Sequence, residues 1–210
     1  MQNAIETPLF SDAERAAIDP DGLLRKFLDE RVANSVVAIP AELLPQAIPA
    51  GVGEIRTGDH YYSENAIRRY GIRTLDRDVG NTLTAFVADV VAACLLYNDR
   101  ATALALVQRT SGELQRVVMT GKADSFGYLG CSCDWVGSLW YHVRRFGLAE
   151  IEGSCRTVLC PSYDIERGCP THEPGTTRAT PKQEVIEHLQ GFREHRATRW
   201  IVATTGEAHT

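Results

Sequence analysis

The sequence predicts an α+β fold in a single domain that covers the whole 210-residue chain. Apolar residues recur at three- and four-residue spacing from about 75 to 97, which indicates a long central helix. Two apolar runs, at 101–108 and 113–120, flank a Thr-Ser-Gly turn and are typical of an antiparallel β-hairpin spanning about 101–120. A hairpin after a long helix favours α+β over a parallel array of alternating strands and helices.

Composition and charge narrow the class of protein. The chain is 44% hydrophobic and 23% charged, which is ordinary for a globular protein that buries a core without disulfides. Its 22 Lys and Arg residues are dispersed and its net charge is -5, so no nucleic-acid partner is expected. No apolar run approaches the ~18 residues of a membrane span, and the N-terminus lacks the apolar run of a secretory signal. We therefore expect a cytoplasmic protein with a small-molecule substrate and no membrane partner, whose oligomeric state the sequence leaves open.

The N-terminal third is predicted to consist of short elements. Ser11 and Glu14 have the spacing of a capping box, which marks a helix start. Thr74 is the predicted cap of the long helix, and Cys94 falls on its apolar stripe, where a free cysteine acts as a small hydrophobe. The other predicted elements are two short helices before residue 34, strands at 35–39 and 52–56, and a helix from Ser63 to Tyr70 ended by Gly71.

Helix signals also frame the C-terminal half. Asp134 is a predicted cap for a helix that runs to about Phe146 and ends at Gly147. Pro181 follows Thr180 as the first residue of a last helix. The elements predicted around these helices are a strand at 151–159, a loop at 161–178 and a closing strand at 200–204.

The segment 130–178 holds most of the chain's unusual chemistry. It contains five of the six cysteines, and His172 lies among them; the residues of this cluster are Cys131, Cys133, Cys155, Cys160, Cys169 and His172. In a reducing compartment, clustered cysteines are more often metal ligands or reactive thiols than structural disulfides. Three hypotheses explain the cluster, with a fourth in which the cysteines share no site.

The first hypothesis is a metal centre. Thiolates and imidazole are ligands that zinc prefers, with iron or an iron–sulfur cluster as the second choice. The predicted ligands are Cys131, Cys133, Cys160, Cys169 and His172. A helix start, a strand end and a long loop would converge on one ion, which would also order the loop. If three protein ligands leave a position open, bound water becomes a nucleophile, so the sequence favours a hydrolase or lyase acting on a small molecule.

The second hypothesis is a nucleophilic thiol without metal. Cys133 is predicted at a helix start, where unpaired amides and the helix dipole lower the pKa of a thiol. His172 would be its base, with His142 and His60 as the next candidates, and Asp134 would orient that base. The segment GCSCDWVGSLWYHVRRFG resembles the thiol helix of NlpC/P60-type cysteine hydrolases. In that family aspartate precedes the cysteine, whereas here it follows, so no residue role is transferred.

The spacing of the first two cysteines supports chelation as well. Cys131-Ser-Cys133 resembles the end of the metal motif of nitrile hydratase α-subunits, with Tyr128 where that motif has another cysteine. The resemblance implies that both sulfurs of such a pair can bind one ion. The third hypothesis is a redox sensor in which Cys131 and Cys133, or Cys155 and Cys160, alternate between thiols and a disulfide.

The histidines outside the cluster have more ordinary interpretations. His188 and His195 are predicted as partly solvated residues flanking the apolar stripe of the last helix, and His142 as a polar-face residue. His60 lies in a turn-like segment that forms either a polar pocket or a surface loop. The residues that would share that pocket are Asp59, Tyr62 and Glu64.

Overall fold

A computed structural model describes residues 8–31, 43–48, 50–57, 60–120, 130–131, 133–148 and 181–192. These residues form a mixed, mostly helical structure with a small sheet, which agrees with the predicted α+β class at this coarse level. The strands predicted at 35–39, 151–159 and 200–204, and the loop at 161–178, lie outside the described residues.

Seven helices and six strands are present in the described ranges. In chain order they are α1 (Asp12–Ile18), α2 (Leu23–Arg31), β1 (Gln46–Ala47), β2 (Glu54–Thr57), β3 (His60–Ser63), α3 (Glu64–Tyr70), β4 (Arg73–Asp76), α4 (Arg77–Leu96), α5 (Arg100–Leu114), β5 (Val117–Thr120), β6 (Gly130–Cys131), α6 (Cys133–Arg145) and α7 (Pro181–Phe192).

Helix α4 is the predicted long central helix, and it is buried along most of its length. It packs against α2, α5, α6 and α7 and against the strands β4 and β5. The predicted cap was wrong: Thr74 lies in β4, and the carboxylate of Asp76 accepts hydrogen bonds from the amides of Asp78 and Val79. Asp76 is one of the residues with a favourable cap side chain, and the strand occupies the residues before it.

The hairpin predicted at 101–120 is wrong. The first half of that segment is α5, and the second half is β5, which pairs with β4 in parallel. The buried residues of α5 recur at helical spacing and face α4 and α6; they are Ala103, Leu106, Val107, Thr110, Ser111 and Leu114. The Thr-Ser-Gly sequence that suggested a turn lies inside this helix, because burial of its apolar face outweighs the low helix propensity of those residues.

The larger sheet has the strand order β1-β4-β5-β6. Its two edge strands pair antiparallel with their neighbours, whereas β4 and β5 are parallel. Helices α4 and α5 together form the crossover that joins the parallel strands. Val118 of β5 packs with Ile55, Ile67 and Ile72 in a second apolar cluster. Other residues of β5 belong to the main core with the helices.

The segment before β4 matches its prediction in part. The strand predicted at 52–56 is β2, and α3 follows with the hydroxyl of Ser63 as its cap. The turn-like segment around His60 is instead the strand β3, which pairs antiparallel with β2. Gly71 ends α3 in the left-handed conformation with φ of 58°, as predicted from the sequence.

The N-terminal helices are attached to the far end of α4. The capping box of Ser11 and Glu14 is confirmed, with both reciprocal hydrogen bonds present. The carboxylate of Asp19 accepts hydrogen bonds from the first amides of α2 and, at 2.6 Å, from the Tyr97 hydroxyl. Burial and this hydrogen bond raise the pKa of Tyr97. Asn98 Oδ1 accepts from the Leu9 amide at 3.0 Å, so the chain before α1 is held against the end of α4.

Helix α6 approaches α4 closely because Gly80 has no side chain. The indole of Trp135 is 1% exposed and lies over Gly80, with its Nε1 donating to Asn81 Oδ1 at 3.1 Å. A Cβ atom added at Gly80 would be 2.1 Å from the Trp135 ring. The ring is fixed by its hydrogen bond and surroundings, so the helices would have to separate.

We expect Gly80→Ala to lower the free energy of unfolding by about 1–3 kcal/mol, the usual cost of overpacking a core. Gly112→Ala is the matched control, since Gly112 is exposed in α5 with no atom within 4 Å of an added Cβ. That change should stabilise by about 0.5–1 kcal/mol through helix propensity. Urea unfolding followed by circular dichroism measures both values. Equal effects of the two substitutions would contradict the described packing.

Helix α7 completes the core and is also tied to α1. Val185, Leu189 and Phe192 are each 0% exposed. Lys182 Nζ is 2.5 Å from Glu14 Oε1. The hydrogen bond from Lys182, followed by those from Ser11, lowers the pKa of Glu14 from 4.5 to about 2.

This lowered pKa predicts an acid-dependent stability difference. Glu14 has a lower pKa in the folded chain than in the unfolded chain, so its contribution is complete above about pH 4.5 and is lost as pH falls towards about 2. The melting temperature of Glu14→Gln should therefore lie below that of the wild type at neutral pH and meet it near pH 2. Glu113→Gln, at an exposed position of α5, is the control. A constant difference between Glu14→Gln and wild type across this range would refute the assignment.

Helix α4 is also long and apolar enough to cross a membrane by length and composition alone. Within the most apolar 18-residue stretch of α4, 78% is buried inside the protein. The core helix of a folded domain passes the same test, so the apolar character of α4 is accounted for by its position.

Candidate functional site

Cys131 and Cys133 lie on either side of a strand-to-helix junction. Cys131 is the last residue of β6 and pairs with Val118 of β5, and Cys133 is the first residue of α6. The predicted position of Cys133 at a helix start is confirmed. The two cysteines are therefore separated by a single residue at the edge of the larger sheet.

Asp134 is not the cap of this helix, as the sequence had predicted. Helix α6 starts at Cys133, which makes Asp134 its second residue. Aspartate is a favourable cap residue, which is why the sequence pattern suggested a start one residue later. An acidic residue in the first turn still interacts favourably with the helix dipole.

The remaining predicted site residues lie outside the described residues. These are Cys160, Cys169 and His172, together with Cys155 of the redox hypothesis. Within the described ranges, no group of three or more His, Cys, Asp or Glu side chains is placed to hold a metal ion. The ligand set of the metal hypothesis and the Cys133–His172 pair of the thiol hypothesis both stay predictions.

The pocket proposed around His60 is described only in part. Glu64 is exposed in α3, where its Oε1 is 2.6 Å from Arg68 Nη2. Asp59 and the side chains of His60 and Tyr62 lie outside the described part. This ion pair within α3 explains the orientation of the Glu64 side chain without a pocket.

Cys94 is a core residue, as predicted. It is 1% exposed on α4, and burial raises the pKa of its thiol to about 12. The thiolate is the reactive form of cysteine, so this thiol is chemically inert in the folded protein.

We expect Cys94 to resist iodoacetamide at about pH 8 while the protein is folded, because roughly one molecule in ten thousand then carries the thiolate. Peptide mapping by mass spectrometry after brief labelling measures this directly. The same labelling in guanidinium chloride should modify Cys94 fully and serves as the control. Labelling of Cys94 in the folded state at the rate of a free thiol would contradict its burial.

A second group of polar residues was missed by the sequence analysis. Asp89 lies in the middle of α4 with its side chain 0% exposed, and its Oδ1 is 2.6 Å from the Nε2 atom of His188 on α7. The His188 side chain is 15% exposed, which is compatible with its prediction as a partly solvated residue flanking the apolar stripe. A carboxylate with no exposure is costly to bury without a partner, and His188 is a contact that another helix provides.

His142 of α6 is the next member of this group. Its ring centroid is 5.2 Å from that of His188, and it is stacked on Phe146 at 6.3 Å. The Phe146 ring also contacts His188 edge-on at 5.3 Å. His142 is half-buried, which corrects its prediction as a residue of the polar face.

An ion pair lies one helical turn away on the same two helices. Arg145 Nη2 is 2.5 Å from Glu184 Oε1, and the Glu184 side chain is 8% exposed. Arg145 Nη1 donates to the Tyr141 hydroxyl at 2.5 Å. The hydrogen bond with Glu184 raises the pKa of Arg145, so the guanidinium stays charged. We call the residues Asp89, Tyr141, His142, Arg145, Glu184 and His188 the histidine cluster.

One signal in the sequence pointed to this cluster. Asp89 is the one charged residue between positions 79 and 96, and it falls on a helix that is otherwise apolar. A charge inside such a stripe requires a partner from another element. The partner is distant in sequence, so the pattern around Asp89 does not reveal that it is His188.

A cleft of about 360 Å³ is lined by Phe146 but by none of the six residues of the histidine cluster. Phe146 and Pro181 form part of its wall, together with Leu95, Asn98 and Arg100 at the end of α4 and start of α5. Phe146 therefore touches both histidine rings and lines this cleft.

Comparison of the chain with protein-family models, curated proteins and solved structures finds no significant match. The function is therefore inferred from the chain's own residues. The two candidate sites are separate, since nine residues of α6 place Cys133 about 13 Å from His142 along the helix axis.

Proposed function

We propose that the protein is an enzyme that acts on a small molecule through a zinc ion bound by cysteines at the junction of β6 and α6. The observation that carries the proposal is the position of Cys131 and Cys133 at the two ends of a strand-to-helix junction. Two thiolates so close in sequence can bind one ion. We also retain a cytoplasmic location, in which such thiols stay reduced.

The donor set fits zinc in its chemistry. Thiolate and imidazole ligands select zinc ahead of the hard cations, with iron as the second choice. Cys160, Cys169 and His172 are the residues that would complete the set begun by Cys131 and Cys133. A zinc ion with an open position lowers the pKa of bound water and so supplies a nucleophile for a hydrolase or lyase.

The chain's own residues would do two things in this function. The cysteine thiolates and His172 would hold the ion, or His172 would instead remain free to move a proton from the substrate. The first-turn amides of α6 point towards its N-terminus, where they favour negative charge. A thiol at the start of a helix is in general more readily ionised, and this is the reason for assigning the reactive or metal-binding role to Cys133.

The same position of Cys133 supports a second function, a metal-free hydrolase or transferase. In that case Cys133 is the nucleophile and His172 its base, and Asp134 would orient the base. A third possibility of another class is a redox sensor or binding protein, in which the cysteines or a closed metal site face no substrate.

Elemental analysis of protein purified without chelators distinguishes these functions. We expect about one zinc per chain, and less than about a tenth of that in the double variant Cys131→Ser/Cys133→Ser, because two of its ligands are lost. Cys94→Ala is the matched control, since it removes a thiol from the core and should leave the zinc content unchanged.

Each competing function has its own result. Metal-free wild-type protein with fast alkylation at Cys133 would support the thiol enzyme. A reversible loss of two mass units between Cys131 and Cys133 on mild oxidation, again without metal, would support the sensor. Undiminished zinc in the double variant would place the ion elsewhere and overturn the proposal.

A further inference from the structure

The cleft lined by Phe146 is built from four segments that are far apart in the sequence. Its volume of about 360 Å³ lies within the range of about 300–1,000 Å³ that is typical of small-molecule sites. Its walls come from the residues before α1, the junction of α4 and α5, the end of α6 and the start of α7. No residue of the cysteine site is part of the lining.

The walls of this cleft are held in place by contacts that require no ligand. Asn98 Oδ1 accepts a hydrogen bond from the Leu9 amide at 3.0 Å, and Asn98 Nδ2 donates to the Phe10 carbonyl at 3.3 Å. Between α6 and α7, Gly147 lies so close to Pro181 that an added Cβ would be 3.1 Å from the proline ring. The cleft is therefore largely pre-formed, which reduces the entropy cost of binding.

The lining of the cleft changes from apolar to polar between its most buried and its most exposed residues. Leu95 and Phe146 are 5% and 3% exposed, so the inner end is apolar. Arg100 is half-buried and Asn98 is exposed, so the polar groups lie nearer to the solvent. A ligand that matches this order has an apolar body and a polar group at one end.

Arg100 is the one charged residue among the described residues that line the cleft. Asp99 is not part of the lining, and its carboxylate accepts a hydrogen bond from the Thr102 amide at 3.1 Å as the cap of α5. Lys182, at the start of α7, is paired with Glu14. A guanidinium binds a carboxylate through two parallel hydrogen bonds, and apolar surroundings strengthen their attraction because they lower the local dielectric constant.

We infer that this cleft binds a small aromatic carboxylate, with its carboxylate on the guanidinium of Arg100 and its ring against Leu95 and Phe146. An aromatic body is favoured because Phe146 offers it a ring contact. The site is distinct from the cysteine junction: Cys133 begins α6 and Phe146 follows its last residue, about 20 Å away along the helix axis. The inference does not depend on the zinc proposal, and either can fail alone.

Titration of the full chain with 3-phenylpropanoate at about pH 7, followed by two-dimensional amide NMR, tests the inference. We expect saturable binding with a Kd of about 0.1–1 mM, an ordinary affinity for a ligand of this size. The neutral analogue 3-phenylpropanamide has nearly the same shape and should bind at least about tenfold more weakly, because it loses the charge-assisted hydrogen bonds. Acetate lacks the ring and should bind more weakly than 3-phenylpropanoate, because it buries less apolar surface.

Substitution of Arg100 separates a direct contact from a structural effect. Arg100→Gln should weaken binding of the carboxylate at least about tenfold and leave the affinity for the amide unchanged, since only the charge-assisted contact is lost. A distorted cleft would instead bind both probes more weakly. Arg116→Gln is the matched control, because it removes the same charge from an exposed residue beyond the other end of α5, roughly 22 Å away. It should change neither affinity.

Three results would overturn the inference: no saturation by 3-phenylpropanoate at about 10 mM, equal affinities for the carboxylate and the amide, or an unaltered carboxylate affinity in Arg100→Gln. Circular dichroism reports whether that variant folds. If it does not, the amide shifts of the wild-type protein decide the matter. Shifts confined to Leu9, the α4–α5 junction and the residues around Phe146 support the site, and shifts centred elsewhere refute it.

Discussion

The position of α4 is the constraint on which the other elements depend. This helix is buried along most of its length, so each neighbour is placed by the part of α4 that it covers. Gly80 admits the Trp135 indole near the start of α4, and Tyr97 and Asn98 hold the N-terminal helices at its end. The sheet lies against the same helix through β4 and β5. Most substitutions on α4 would alter the contacts of two or more neighbouring elements. The core around this helix therefore has few alternative packing arrangements.

The exception to this apolar core is Asp89. Replacing a buried ion pair by well-packed apolar residues is often neutral or stabilising, so a carboxylate at this depth adds no obvious stability. Its contact with His188 fixes α7 in one rotation about its own axis, because only one face of α7 carries that imidazole. The ion pair between Arg145 and Glu184, one helical turn away, restricts the rotation of α7 in the same way. The polar contacts thus define how α7 sits on a core that apolar burial alone would specify less strictly.

Local signals in the sequence predicted several elements correctly. The capping box at Ser11, the left-handed Gly71 and the periodicity of α4 each depend on residues that are close in the chain. Helix α5 was missed for a local reason, since ten of its 15 residues are good helix formers and the Thr-Ser-Gly sequence was interpreted as a turn. Elsewhere the prediction failed where distant residues decide the outcome. The contact between Asp89 and His188 joins two helices that are far apart in sequence, so neither local pattern indicates it.

The parallel pairing of β4 with β5 bears on how the chain folds. The two strands are neighbours in the sheet, yet the whole of α4 and α5 lies between them in sequence. Pairing these strands before the helices form would close a long loop. The entropy cost of that closure would exceed the stabilisation from the four residue pairs between the strands. The α4–α5 hairpin involves contacts between adjacent segments, so we expect it to form before the sheet. Strand β6, and with it the cysteine pair, would join at the last of these steps, after the edge of β5 exists to receive it.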